Sequence, residues 1–117
     1  MRFIHSIKFA LRGIAGFFVR EKNGQLQLAA AMVAVGLGFG LHISAIEWSI
    51  VLICIASVFA FEMINSALEK LCDLVSDSYH PQIKIIKDFA AGAVLLTAVA
   101  SLIIGIIIFL NKLISLF

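Results

Sequence analysis

Residues 48–68 read WSIVLICIASVFAFEMINSAL, and the glutamate near the end of that run decides how the chain folds. From Trp48 to Phe61 there are 14 residues without a charge, fewer than the ~20 a helix needs to cross a bilayer. Continuing through Glu62 to Leu68 makes 21. If the segment spans, it takes a carboxylate into or to the edge of the hydrocarbon. The uncharged stretches on either side are longer: 24 residues from Asn23 to Ile46, and 23 from Phe89 to Asn111. Three membrane-crossing helices are therefore predicted, over about 26–42, 47–71 and 85–111, within a single domain. Composition agrees. Of the 117 residues 62% are hydrophobic and 14% charged, against about 45–50% and 25% in soluble domains. These figures exclude an ordinary soluble enzyme and a disordered chain. Two cysteines are too few for a disulfide scaffold.

Basic residues set the orientation. Arg2, Lys8, Arg12, Arg20 and Lys22 precede the first span, and Lys70, Lys84 and Lys87 lie on the segment from Lys70 to Asp88 where the second span gives way to the third. The connection from His42 to Glu47 carries no Lys or Arg, and the C-terminal tail has Lys112 alone. Lys and Arg mark the cytoplasmic side. The N-terminus and the 70–88 connection are therefore expected inside a bacterial plasma (inner) membrane, and the C-terminus outside. The first twenty residues do not read as a signal peptide, because His5, Lys8 and Arg12 interrupt the apolar run such a peptide needs. They read as an amphipathic surface helix over about 2–21. Ile4, Ile7, Leu11, Ile14 and Phe18 recur at spacings of three and four on one face.

The second span carries most of the polar chemistry. Glu62, Asn65, Glu69 and Asp73 are spaced three, four and four, so at ~100° per residue they fall on one narrow stripe, with Ser66 beside them. Glu69 lies about 10 Å further along the axis than Glu62. A charged side chain at a helix centre costs ~2.5–3.5 kcal/mol on insertion scales, so the stripe must face protein, water or a ligand rather than lipid. Hydrogen bonding between helices accounts for Asn65 and Ser66. It accounts poorly for Glu62 and Glu69, since the spans hold no obvious cation for them.

At the same membrane face stand Glu21, the segment Tyr79-His80-Pro81, and Lys87 with Asp88. An acidic cluster of Glu21, Glu69 and Asp73 suits Mg²⁺, which takes oxygen ligands and needs few from the protein when a phosphate supplies others. Nearby Lys87 and Arg2 would complete the equipment for phosphoryl transfer. Membrane glutamates also serve proton-coupled carriers, so the residues alone leave both readings open.

Other signals are weaker. Gly36-Leu37-Gly38-Phe39-Gly40 lies inside an apolar span, and is expected to pack helices closely through Gly36 and Gly40 rather than bind phosphate. Ser101 and Gly105 repeat that spacing. Cys54 and Cys72 fall in different compartments, and Cys72 with His80 is too small a set for zinc. The chain has no GxxxxGK[ST], so a nucleotide site would not be a P-loop.

The run Glu62-Met63-Ile64-Asn65-Ser66-Ala67-Leu68-Glu69-Lys70-Leu71-Cys72-Asp73 resembles the signature of the small prokaryotic diacylglycerol kinases, E-x-x-N-[ST]-A-[IL]-E with an Asp four residues on. Tyr79-His80-Pro81 and Ile86-Lys87-Asp88-Phe89-Ala90-Ala91-Gly92-Ala93-Val94 resemble it too, as does the amphipathic helix ending at Glu21. The likeness covers essentially the whole chain. It implies an all-α membrane protein of three transmembrane helices plus a surface helix, assembled as a homotrimer with active sites at subunit contacts near the cytoplasmic face. It implies Glu62 as the general base toward a lipid hydroxyl, and Glu21 and Glu69 as the ligands of Mg²⁺ carried with ATP. Arg2, Phe9, Asn65, Tyr79, His80, Lys87 and Asp88 match positions around the nucleotide and its phosphates. Glu62, Ala91 and Phe18 match positions that bind the lipid substrate, and Asp73 supports the network.

Two places depart from the pattern. Phe9 stands where better-known members have Tyr, so a hydroxyl contact is missing, and Gln25 and Gln27 stand where relatives often carry a basic residue or His. The implied reaction is ATP- and Mg²⁺-dependent phosphorylation of a lipid alcohol. Diacylglycerol, giving phosphatidic acid, is the first-named acceptor and undecaprenol the alternative. The reading from another class is a non-catalytic membrane subunit or a proton-coupled carrier, for which the cytoplasmic polar cluster has no evident use.

Overall fold

The computed structural model describes residues 2–117. Among the described residues there are four helices and no strand: α1 (Arg2–Arg20), α2 (Lys22–Gly40), α3 (Ala45–Val75) and α4 (Pro81–Ser115). Each boundary has a local cause. Glu21 is extended between α1 and α2, at φ −98° and ψ 122°. The Gln25 side chain folds back across this elbow, and its Nε2 donates to the carbonyls of Phe18 (3.2 Å) and Val19 (3.1 Å), which α1 leaves unpaired at its end. Ser44 opens α3 through a capping box: its Oγ accepts from the Glu47 amide at 3.2 Å, and the Glu47 carboxylate accepts from the Ser44 amide at 2.8 Å. His80 opens α4, its Nδ1 accepting from the Gln82 amide at 3.1 Å, with Pro81 in the first turn where a missing N–H is harmless.

α3 (31 residues) and α4 (35 residues) are both long and apolar enough to cross a membrane. They lie antiparallel, as the short connection over 76–80 requires. Ion pairs close both ends of this hairpin: Lys87 to Asp73 at 2.8 Å at one, and Lys112 to Glu47 at 3.1 Å at the other. α2 packs chiefly on α3, and α1 on α2. α2 has 19 residues, but polar Lys22, Asn23, Gln25 and Gln27 take up its beginning, so its apolar part is shorter than those of α3 and α4.

Ile43, Val51 and Ile108 form a small core near the turn between α2 and α3, with Trp48, Ile55, Ile104 and Phe109 around it. Most of the remaining large apolar side chains point outward, as they do where lipid is the solvent. The close helix approach expected at Gly36 and Gly40 is found instead at Gly38. A Cβ there would stand 2.7 Å from the Trp48 ring, whereas Gly36 and Gly40 face open space. The register follows from the tight turn at His42 (φ 54°), which brings Trp48 back over the middle glycine. A second close approach joins α1 to α2, where a Cβ on Gly24 would lie 2.6 Å from Phe17.

Candidate functional site

α3 buries one continuous stripe: Val51, Val58, Glu62, Asn65 and Cys72. The spacing keeps these residues on one side of the helix, and the stripe changes from apolar to polar at Glu62. Glu62 is 5% exposed and Asn65 8%. The Gln27 side chain approaches the Glu62 carboxyl from α2. Asn65 Nδ2 donates to Glu69 Oε1 at 3.4 Å, while Asn65 Oδ1 is buried without a partner. A buried amide oxygen left unpaired costs free energy, roughly 1–3 kcal/mol, unless something at the site supplies a donor.

Below Glu62 the three long helices enclose a crevice of about 390 Å³. Its walls are apolar (Ala34 and Leu37 of α2, Val58 and Phe59 of α3, Leu102 and Phe109 of α4 among them), and Gln27 stands in its lining on the side of Glu62. The crevice therefore offers an apolar hold for a hydrocarbon chain, with Gln27 in its lining and Glu62 one turn of α3 beyond Val58. A second hollow of about 320 Å³ lies between α3 and α4, with Asn65 its polar member among Phe61, Leu68, Ile86 and Phe89.

Toward the α1–α2 elbow and the α3–α4 connection, the rim of the site, the side chains are charged and paired. Glu21 accepts from Lys70 Nζ at 2.7 Å, which ties the α1–α2 elbow to α3 one residue beyond Glu69. Lys87 binds Asp73, and Lys84 binds Asp88 at 2.6 Å. The triad of Glu21, Glu69 and Asp73 expected to share a cation is not assembled. Lys70 and Lys87 each take one of these carboxylates, and among the described residues no three His, Cys, Asp or Glu side chains gather as a metal set. Glu21 and Glu69 nevertheless flank the same lysine-bearing turn of α3, and both offer oxygen.

The structure thus aligns Glu62, Asn65 and Glu69 along α3, with Lys87 paired to Asp73 nearby and Glu21 tied to the same helix through Lys70. Other expected residues stand apart. Asp88 faces Lys84 along α4, Tyr79 is 79% exposed, and His80 has committed Nδ1 to capping α4. Arg2 and Phe9 lie along the exposed part of α1, where Arg12 rests 6.0 Å from the Phe9 ring. Phe18 packs edge-on against Phe59 of α3, with ring centres 5.0 Å apart, next to the crevice; Ala91 is exposed on α4. Sequence reasoning assigned no site role to Lys70 or Gln27. Lys70 could have been singled out as the one cation inside the acidic run, and Gln27 as the last polar side chain before an apolar stretch.

The family model described as Prokaryotic diacylglycerol kinase matches residues 8–109. Over 112 residues the chain is 45% identical to the undecaprenol kinase of Bacillus subtilis, covering 96% of this chain and 91% of that protein. It is 36% identical over 112 residues to the diacylglycerol kinase of a Synechocystis species, covering 95% of this chain and 64% of that one. With the diacylglycerol kinase of Escherichia coli the identity is 24% over 102 residues, which is 87% of this chain and 84% of that protein.

Proposed function

The chain belongs to the prokaryotic diacylglycerol kinase family, and from that premise we propose that it is a lipid kinase transferring the γ-phosphoryl group of ATP to the primary hydroxyl of undecaprenol. The observation that carries this reading is the α3 stripe, which runs from an apolar crevice through buried Glu62 and Asn65 to the charged rim. The hydrocarbon chain lodges in the crevice and its hydroxyl reaches Glu62 and Gln27. Glu62 removes the hydroxyl proton as the oxygen attacks the γ-phosphorus. The bond from that phosphorus to the bridging oxygen breaks, leaving ADP, and the proton on Glu62 is later returned to water. Lys87 and Asn65 orient the phosphates, positioning being the main work of such a site.

A divalent cation fits the donor set. Glu21 and Glu69 are hard oxygen donors, two carboxylates suffice when phosphate oxygens and water fill the other positions, and Asn65 steadies Glu69. Glu21 and Glu69 would hold Mg²⁺, which when bound would neutralise charge on the phosphates. Binding requires Lys70 to release Glu21.

We assign α2 as the third membrane-crossing helix, with the N-terminus and rim cytoplasmic, the C-terminus outside, and the protein in the bacterial plasma membrane. We also assign a homotrimer, in which neighbouring copies cover the rim and bring Tyr79, His80 and Asp88 to the nucleotide. The identity of 45% to a protein named undecaprenol kinase, against 36% and 24% to proteins named diacylglycerol kinase, favours undecaprenol. The two latter relatives support diacylglycerol as the second reading. The test offers purified protein labelled ATP with undecaprenol and diacylglycerol together in one vesicle. Label mainly in undecaprenyl phosphate supports the first reading, label mainly in phosphatidic acid the second, and label in neither refutes both.

A further inference from the structure

Lys70 differs from the other lysines of the rim in what it holds. Lys84 and Lys87 pair with Asp88 and Asp73, whereas Lys70 Nζ lies 2.7 Å from Oε1 of Glu21, one of the two carboxylates assigned to the metal. It also follows the other, Glu69, directly in sequence. The Glu21 backbone does not need this contact. Its N–H donates to the Phe17 carbonyl at 2.9 Å and its carbonyl accepts from the Gln25 N–H at 3.1 Å, so α1 and α2 hold the main chain from both sides. Lys70 is left with the carboxylate alone to fix. Glu69 is steadied differently, by the Asn65 amide, which is neutral and can stay when a cation arrives. Lys70 cannot stay, because an ammonium and a divalent ion on one carboxylate repel each other.

The displaced ammonium lacks a second carboxylate on its own stretch of α3. Glu69 is the other metal ligand, and Asp73 is taken by Lys87. Arg20 stands close enough to act on the Lys70 charge, and repels it. The Lys70 side chain is 68% exposed, so its four-carbon stem is free to swing, and an ammonium binds phosphate as a compact charge with three donors. Charge points the same way. Glu21, Glu69 and Lys70 together carry a net charge of −1, which a divalent ion alone turns to +1 and phosphate oxygens bring back down.

We infer that Lys70 is a placeholder for the metal and then a ligand of the phosphates. It keeps Glu21 aimed at the rim, yields it to the incoming divalent cation, and turns to the phosphate oxygens that arrive with that cation. The inference rests on the proposed kinase reading, and adds to it a nucleotide-binding residue and a reason for metal and nucleotide to bind together. A cation arriving alone leaves Lys70 unpaired, whereas one arriving with a triphosphate brings the partner that Lys70 takes next. Such coupling acts equally in both directions.

The test uses Mn²⁺, whose electron paramagnetic signal separates free from bound ion, titrated without nucleotide into the purified full chain in detergent. Binding of labelled β,γ-methylene ATP is measured separately at saturating Mn²⁺. Lys70→Gln is expected to tighten Mn²⁺ alone about two- to five-fold, the usual strength of an exposed ion pair. It is expected to weaken the Mn²⁺–analogue complex about three-fold or more, since the lost charge-assisted hydrogen bond outweighs the ion pair that no longer has to break. Lys70→Arg keeps the cation and should behave as the unaltered chain. Lys70→Met repeats the measurement with a second neutral side chain, and thermal unfolding confirms that each variant is folded.

A purely structural tie predicts the opposite sign for the metal, because loosening Glu21 weakens Mn²⁺ with and without nucleotide. Mn²⁺ affinity that is unchanged or weaker in the neutral variants overturns the placeholder, and analogue affinity that is unchanged or stronger overturns the phosphate role. In a Glu21→Gln background the gain for Mn²⁺ alone should vanish; a gain that persists in full assigns it to general charge at the rim and overturns the exchange. Any of these contrary results from a chain that phosphorylates lipid sinks the inference and spares the kinase reading. Folded protein that binds neither Mn²⁺ nor the analogue and phosphorylates no lipid sinks both.

Discussion

Glu62 and Asn65 are the two polar side chains that α3 buries, and Asn65 Oδ1 is fully buried without a partner. Their position makes Glu62→Gln the sharpest single substitution. It keeps size and approach to Gln27 but cannot take a proton, so kcat is expected to fall about 10²–10⁴-fold with ATP affinity nearly unchanged. Single-turnover kinetics alongside nucleotide binding checks this, and near-normal kcat would remove Glu62 from its role as base. Glu69→Gln is expected to raise the Mg²⁺ concentration at half-maximal rate about ten-fold or more, as loss of a carboxylate ligand should. A magnesium titration at saturating ATP decides it, and an unshifted midpoint counts against ligation. The stripe could be read in the sequence because helical periodicity is enough to align positions 62, 65, 69 and 73. The partners could not. Gln27 beside Glu62 and Lys70 on Glu21 are meetings between helices, and the spacing within one helix says nothing of what another brings.

Among the elements, the helix starts at Ser44 and His80 obey local chemistry, whereas the close approach within α2 depends on how the His42 turn sets α3 against it. Three glycines at alternate positions each allow tight packing, and only the tertiary register selects Gly38. Gly38→Leu is therefore expected to drive Trp48 off α2 and cost about 1–3 kcal/mol, the usual penalty of overpacking. Gly36→Leu should be nearly neutral within one chain. Thermal unfolding in detergent measures both, and equal losses would contradict the placement. The crevice was illegible for a related reason. Its walls come from α2, α3 and α4 at once, and the small residues lining it look in sequence like any apolar span.

For the whole molecule, the paired rim charges of one copy leave Tyr79, His80 and Asp88 away from Glu69, and this is what the proposed trimer answers. If sites are built across subunits, mixing inactive Glu62→Gln chains with inactive Asp88→Asn chains should restore about a tenth to a quarter of wild-type turnover, as some mixed trimers then hold an intact site. Failure of mixed oligomers, verified by native mass spectrometry, to regain activity would confine each site to one chain. The destination of the γ-phosphoryl group tests the proposed lipid kinase activity most directly. Purified chain in vesicles containing undecaprenol and diacylglycerol, given ATP labelled in that group and Mg²⁺, is predicted to place the label in an organic-extractable lipid phosphate, with Glu62→Gln abolishing the transfer. Label that stays in ATP or appears only as inorganic phosphate, from folded protein, would contradict it.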